Sequence, residues 1–226
     1  MFMSEAKVYC VSNINEITEN EIRFISSVIP KYRLQKSQKY LKTSDRNACI
    51  VTFFLLLYGL KKNYNINYIP DILFNQYQKP YFKDNNICFN ISHSDTAVCC
   101  GISENGIGTD VQSIVCKYDD IIDMVMSPEE KKIIGISSVP RNLFTKFWTL
   151  KECFVKYHGI GLNNDINKIV FSPVCGEVFY YNSLWFRSEL YDNFYLSACS
   201  ALEAPCFIYN NIGNYIENYT RVIVFV

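Results

Sequence analysis

Residues 48–60, ACIVTFFLLLYGL, are the longest apolar stretch of the chain, and no other segment constrains the fold as strongly. A helix that is apolar all round has no face to offer to water and must be covered on every side. Thirteen residues at 1.5 Å each reach about 20 Å, short of the roughly 30 Å of bilayer hydrocarbon, so the segment reads as a central core helix and not as a membrane span. Ser44 or Asp45 is positioned to cap its start, and Gly59 to stop it. A chain of 226 residues has enough surface to wrap such a helix within one large domain or two small ones.

Charge excludes several classes of partner. The 22 basic and 22 acidic residues cancel, so no global field attracts nucleic acid or an anionic membrane, and any anion site must be local. The ten cysteines are scattered, as at Cys49, Cys88, Cys153 and Cys199, mostly inside apolar runs; they read as small hydrophobes of a reduced cytoplasm. With no CxxC and only His93 and His158, a zinc site is not expected. The opening MFMSEAKVYCVSN has no basic segment followed by an apolar one, and a soluble, cytoplasmic protein is expected.

Along the chain, KVYCVSN alternates like a strand and NEIRFISSVI reads as a short helix. The basic segment KYRLQKSQKYLK, with Lys31, Arg33, Lys36, Lys39 and Lys42, reads as a solvated helix face. NICFNISHSDTAVCCGIS reads as two strands joined at His93-Ser94-Asp95, and GIGTDVQSI as another, its glycines allowing close backbone approach. Ser127, Pro128 and Glu130 open a helix with a capping box, and a long helix over 143–158 ends at Gly159, which suits a left-handed cap. KIVFSP, VFYYN, LWFRSELYDNFYLSACSA and CFIYN then read as a run of strands. The pair ICFNIS/TAVCCGIS has an echo in WFRSELY/FYLSACSA, each downstream of a long helix. The expected class is α+β: two pseudo-symmetric lobes, 1–111 and 112–226, each a small antiparallel sheet packed on a long helix, with the active site in the cleft between them.

The chemistry concentrates in two places. On helix 143–158, Phe144, Phe147, Trp148, Phe154 and Val155 share one arc, and Lys151 points into the middle of it. A buried ammonium requires an anion, which predicts that Lys151 faces a charged ligand or metal. Glu152 lies at the edge of that arc and Lys156 one turn beyond. Upstream, Asp110 and Gln112 are two apart in a strand and share a face. Octahedral magnesium takes one or two protein carboxylates, so Asp110 and Glu152 suffice, with Gln112 as a weak ligand or a water holder. Lys151 and Lys156 can offset the charge of a diphosphate. Plainer readings stand beside these. Asp110 can cap a turn, Glu152 can pair with Lys156 at i,i+4, and His93 can be either a phosphate donor or a turn residue. His158, near a helix end, favours the dipole.

Taken in order and spacing, QKPYF, FNISHSD, GIGTDVQ and FWTLKECFVKYHGIGL resemble the two-lobed, surfactin-type 4′-phosphopantetheinyl transferases. The resemblance covers about residues 30–162 by motif; its specific part is G-x-D combined with W-x-x-K-E-x-x-x-K. It implies an enzyme that moves the phosphopantetheine arm of coenzyme A onto a serine of an acyl or peptidyl carrier protein, with magnesium, releasing 3′,5′-ADP. By the same resemblance, Asp110 and Glu152 hold magnesium, and Gln112 stands where the family commonly has Glu. Lys156 neutralises the leaving phosphate and Lys151 is its partner in the K-E pair. Ser92 and His93 contact the nucleotide phosphate, Lys79 lies near the nucleotide, and basic residues before the first long helix complete the 3′-phosphate pocket, with Lys36, Lys39 and Arg46 as the candidates and Arg46 the one assigned. A cytoplasmic monomer is implied, with carboxylates from separate lobes meeting on one cation. Two other readings compete: a magnesium nuclease, whose usual E-x-K spacing is absent, and a non-catalytic homologue that binds coenzyme A or carrier protein, kept open by Gln112.

Overall fold

The computed structural model describes residues 5–161, 165–171 and 176–221. Strand β1 (Lys7–Ser12) and helices α1 (Glu19–Val28) and α2 (Lys31–Ser37) lead into the predicted core helix, α3 (Thr43–Tyr64), which is buried without a break from Ala48 to Lys61. Both of its predicted ends move. Lys42 occupies the N-cap with no side-chain bond, so Ser44 and Asp45 lie inside the helix, and the helix runs past Gly59 to a left-handed cap at Asn65. Gly59 is there for contact: a Cβ on it would stand 3.1 Å from the Tyr9 ring. Its small size lets β1 lie against the helix.

The hairpin β2 (Ile72–Phe74) and β3 (Pro80–Phe82) is followed by β4 (Cys88–His93) and β5 (Ala97–Ser103), paired antiparallel as the sequence predicts. Next come β6 (Gly108–Ser113), α4 (Ile122–Val125), α5 (Pro128–Ile136) with its capping box, α6 (Pro140–His158), β7 (Val178–Tyr181), β8 (Leu184–Tyr191) and β9 (Phe194–Ser200). The chain closes with β10 (Cys206–Tyr209) and α7 (Ile212–Arg221). Residues 168–171 of KIVFSP form no strand, a 3₁₀ turn at Ile166–Lys168 taking their start, and 172–173 lie outside the described residues.

The two-lobed α+β architecture is present. One sheet runs β10-β1-β5-β4 and the other β6-β9-β8-β7. The echo noted in sequence is β4/β5 against β8/β9, and the strand orders β1-β5-β4 and β6-β9-β8 repeat each other. The halves are not consecutive in the chain, however. A division at 111/112 cuts through β6, which belongs wholly to the second sheet, and β10 returns to pair parallel with β1 in the first. Helix α7, absent from the sequence reading, packs Tyr215 edge-on against Tyr9 and Tyr58.

Alternation along the strands builds the layers. Val8 and Cys10 of β1 and Ala97 and Cys99 of β5 turn toward Val111, Phe194, Leu196 and Ala198, forming an apolar layer between the two sheets. Tyr9, Val11, Val98, Cys100 and Ile102 turn the other way, onto α3. Helix α6 covers the outer face of the second sheet. The buried cysteines act here as small apolar side chains, and the cysteines of the described residues are free thiols. At Gly108 the approach of β6 to α6 is closest, because a Cβ there would stand 2.0 Å from the Cys153 carbonyl oxygen. Backbone cannot give way as a side chain can. Gly108→Ala is expected to cost about 3 kcal/mol or more in urea denaturation. Gly135→Ala, with nothing within 4 Å of the added Cβ, should instead stabilise α5 by about 0.5–1 kcal/mol.

Candidate active site

Gly108 brings β6 onto α6, and Asp110, two residues further, leaves the strand on the same face. Lys156 Nζ stands 2.5 Å from Asp110 Oδ1 and 3.0 Å from Ser92 Oγ, and the Ser92 hydroxyl donates to the same Asp110 oxygen at 2.7 Å. The second oxygen, Asp110 Oδ2, is buried and has no hydrogen-bond partner among the described residues. One turn before Lys156 on α6, Glu152 is buried, and its carboxyl is pushed up to about 7, chiefly by burial and then by Asp110, with Lys156 opposing. Burial draws the Lys156 ammonium down, but Asp110 and Glu152 outweigh it and hold it above its ordinary value. Both carboxylates therefore belong to the second lobe, from β6 and α6. The expectation that separate lobes supply them is corrected: the first lobe contributes Ser92 of β4. Gln112 follows Asp110 on the same face of β6 and is half-buried. Among the described residues no three His, Cys, Asp or Glu side chains gather as a metal cluster; the donors available are the carboxylates of Asp110 and Glu152 and, on the strand of Asp110, the Gln112 amide.

Strand alternation separates Ser92 from His93. Ser92 turns to the second lobe, whereas Phe89, Ile91 and His93 line a cavity of about 850 Å³ with Tyr32, Arg33 and Lys36. Burial holds the His93 imidazole below its ordinary value. Arg33 stands 4.7 Å over the Phe53 ring and donates from Nε to the Cys49 carbonyl. Arg46 is not part of this wall. Its guanidinium is taken up by the carbonyls of Tyr40 and Leu41, closing the loop before α3. The basic groups that do reach the cavity are Arg33, Lys36 and Lys83; Lys36 is among the candidates the resemblance offers for the 3′-phosphate pocket, whereas Arg33 and Lys83 were legible only as charge. Arg33 and Lys36 sit in the segment read as a solvated face, and Arg33 departs from that reading because α2 packs it onto α3.

A second cleft of about 280 Å³ opens beside the first, between Lys79 and Pro80 on one side and Glu152 and Lys156 on the other. Gln78, Pro80 and Ile91 line both. Lys79 is half-buried and donates from Nζ to the Tyr157 carbonyl at 2.6 Å. Asn75 donates to the Gly159 carbonyl at 3.0 Å while its Oδ1 accepts the N–H groups of Tyr77 and Lys79. The loop between β2 and β3 thus clasps the end of α6, where Gly159 adopts the expected left-handed conformation.

Lys151 lies elsewhere. Five residues from Lys156, it points about 140° away round the helix, is 0% exposed, and places Nζ 2.6 Å from Glu130 Oε2. It also donates to the carbonyls of Val125 and Ile166. The same Glu130 closes the capping box with Ser127 and accepts the Phe171 N–H. The buried ammonium does have its anion, but that anion is a side chain of α5 and not a ligand, which corrects the catalytic reading of Lys151.

The fold and the site define a class: a two-lobed α+β protein whose cleft gathers two carboxylates and an ammonium beside a basic, aromatic cavity, a combination suited to a phosphate ester. Residues 106–199 match the 4′-phosphopantetheinyl transferase superfamily. The chain is 30% identical over 201 residues to the 4′-phosphopantetheinyl transferase gsp of Aneurinibacillus migulanus, spanning 82% of each protein. It is 30% identical over 175 residues to the L-aminoadipate-semialdehyde dehydrogenase-phosphopantetheinyl transferase of Candida glabrata, spanning 69% of this chain and 67% of that one. With the 4′-phosphopantetheinyl transferase Sfp of Bacillus subtilis strain 168, identity is 28% over 150 residues, 64% of this chain and 66% of that one. The chain belongs to the 4′-phosphopantetheinyl transferase family and is an enzyme of that class. Among the described residues no helix is long and apolar enough to cross a membrane.

Lys151→Met leaves the Glu130 carboxylate buried without its cation and should cost about 3–5 kcal/mol. Pairing it with Glu130→Gln should recover part of that loss. Urea denaturation reads both, and transfer activity per folded molecule should stay at the wild-type level in the single variant.

Proposed function

We propose that this enzyme transfers the phosphopantetheine arm of coenzyme A to a serine of an acyl or peptidyl carrier protein, with magnesium held by Asp110 and Glu152. The observation that carries this reading is the Asp110 carboxylate: one oxygen is fixed by Lys156 and Ser92, the other is buried with no hydrogen-bond partner among the described residues, and the group raises the neighbouring Glu152 carboxyl. Asp110 Oδ2 and the Glu152 carboxylate would hold a divalent cation, whose charge would offset the two acids in place of the proton favoured at Glu152. Gln112, on the same strand face, supplies an amide oxygen or holds a water. When bound, magnesium polarises the diphosphate and draws charge from the breaking bond.

The carrier serine Oγ attacks the phosphorus that bears the pantetheine, the bridging P–O bond breaks, and 3′,5′-ADP leaves. Glu152 takes the serine proton directly or through one water. Lys156 lies against the departing oxygen and offsets its charge, with Ser92 fixing the ammonium. The cavity lined by His93, Arg33 and Lys36 takes the nucleotide and its 3′-phosphate, and Lys79 borders the passage between the cavities. Both walls of the cleft come from one chain, which supports a monomer. The free thiols of the described residues support a reducing cytoplasm. The neutral net charge weighs against a nuclease.

Incubation with coenzyme A, magnesium and a panel of apo carrier proteins should add phosphopantetheine to at least one, read by mass spectrometry. Glu152→Gln and Asp110→Asn should each lower transfer by about a hundredfold or more while circular dichroism stays unchanged. Near-normal transfer by Glu152→Gln would remove the metal assignment. Gln112→Glu adds a third carboxylate and should lower the magnesium concentration needed for half-maximal activity; the same requirement as wild type would exclude Gln112 from the site.

A further inference from the structure

Thr149 of α6 and Ser197 of β9 are both 0% exposed, and Ser188 of β8 is 1% exposed. Their hydroxyls form a chain, Thr149 Oγ1 standing 2.7 Å from Ser197 Oγ and Ser197 donating to Ser188 Oγ at 2.9 Å. Around them, Phe147 and Leu150 of α6 and Phe186 of β8 belong to one apolar core. A buried hydroxyl pair in such a place gains little stability over apolar groups of the same shape. Thr145, one turn earlier on α6, has a plain reason to be polar: its hydroxyl accepts the Val115 N–H at 3.0 Å, a backbone donor that needs an acceptor. Thr149 answers no such need. It donates to the Lys146 carbonyl within its own helix, and Ser197 already has Ser188.

What Thr149 does reach is the cross-strand row that carries Asp110. Asp110, Ser197 and Ser188 stand opposite one another across β6, β9 and β8, so their side chains leave the sheet on one face. Lys156 follows Thr149 by seven residues on α6, which at about 100° each brings it to within about 20° of the same line. Helix α6 is therefore bonded to one row of the sheet at two points, by Lys156 to Asp110 and by Thr149 to Ser197. Apolar packing is non-directional and leaves a helix free to turn slightly over a sheet; two hydrogen bonds two turns apart do not. Glu152 lies between the two points. We propose that Thr149 is a positioning residue, its bond to Ser197 fixing the rotation of α6 over the second sheet and with it the placement of Glu152 and Lys156 against Asp110. Glu152 and Lys156 keep the roles given them by the transferase reading above, on which this inference rests.

Two substitutions pull stability and site geometry in opposite directions. Thr149→Val keeps the shape and removes the bond, leaving Ser197 paired with Ser188; Thr149→Ser keeps the hydroxyl and removes a methyl from the core. In calorimetry with coenzyme A present, Thr149→Val should bind magnesium about tenfold more weakly than wild type while melting within about 3 °C of it. Thr149→Ser should melt lower and bind magnesium as wild type does. In transfer assays Thr149→Val should lower kcat and leave KM for the carrier protein unchanged. Its crystal structure should show α6 turned and Lys156 drawn off Asp110. If Thr149→Val binds magnesium within about twofold of wild type, or keeps the Lys156–Asp110 pair in place, the hydroxyl only fills a buried space and the proposal is overturned. Should Thr149→Val fail to fold, Ser197→Ala breaks the same bond from the strand and takes its place, with the same expected outcomes. A wild-type protein that binds no magnesium defeats the metal assignment, and the Lys156–Asp110 pair in the variant crystal still decides the role of Thr149.

Discussion

The cleft depends on how the two oxygens of Asp110 are used. Oδ1 receives the Ser92 hydroxyl from one lobe and the Lys156 ammonium from the other. The carboxylate is thereby locked, and Oδ2 is left buried with no hydrogen-bond partner among the described residues. That geometry requires β6 to run against α6 with no side chain between them, which Gly108 allows. The contact also brings Glu152 within reach of Asp110, since it lies one helical turn from Lys156. Two acids and one ammonium in a buried cleft leave an excess of negative charge at low effective dielectric. Such charge is compensated by a proton or a cation; the upward push on Glu152 is the proton's version of that compensation.

Local signals in the sequence survive folding where their physics is local. The Ser127 box, the left-handed cap at Gly159, the alternation of β4 and β5, and the close approach at Gly108 all depend on neighbours within a few residues or on the absence of a side chain. What was hidden depends on distant partners. β10 joins β1 across about two hundred residues of chain, and no local pattern announces a parallel pairing of that span. Gly59 reads as a stop only if nothing but solvent lies beside it, and the Tyr9 ring lies there instead. Helix α7 does carry a signal, with Ile212, Tyr215, Ile216 and Tyr219 at helical spacing, but it follows a run of strands whose alternation masks the period of 3.6. The change of sheet near residue 111 is hidden for a related reason. β5 and β6 are adjacent in sequence yet belong to different sheets, so the strand bearing Asp110 changes lobe.

Lys151 shows how far a charge argument reaches without coordinates. An ammonium inside an aromatic arc needs an anion, and that necessity was legible. Which anion was not, because Glu130 already had a sufficient local role in the capping box of α5. In the structure one carboxylate serves both, and also holds the Phe171 N–H. A residue with an adequate local explanation can still have a second, tertiary one. Arg33 makes the same point from the other side: its charge fits a solvated face, yet its guanidinium lies on Phe53 and bonds into α3.

The placement of polar links around the cleft bears on how the site works. Behind it the two sheets share a buried apolar layer. At its rim Lys79 and Asn75 grip the end of α6, Asn90 holds the Thr109 N–H, and Ser92 holds Lys156 and Asp110. Domain motion is the default expectation for lobes joined by a small polar interface; here an apolar layer and several cross-lobe hydrogen bonds act against it. A cleft held open in this way presents its ammonium and carboxylates already aimed. Little reorganisation is then left to oppose charge developing at a phosphorus between the lobes. The fixed wall also limits what can approach: the larger cavity and the smaller cleft meet at Gln78, Pro80 and Ile91, so a ligand that occupies both must lie across those residues.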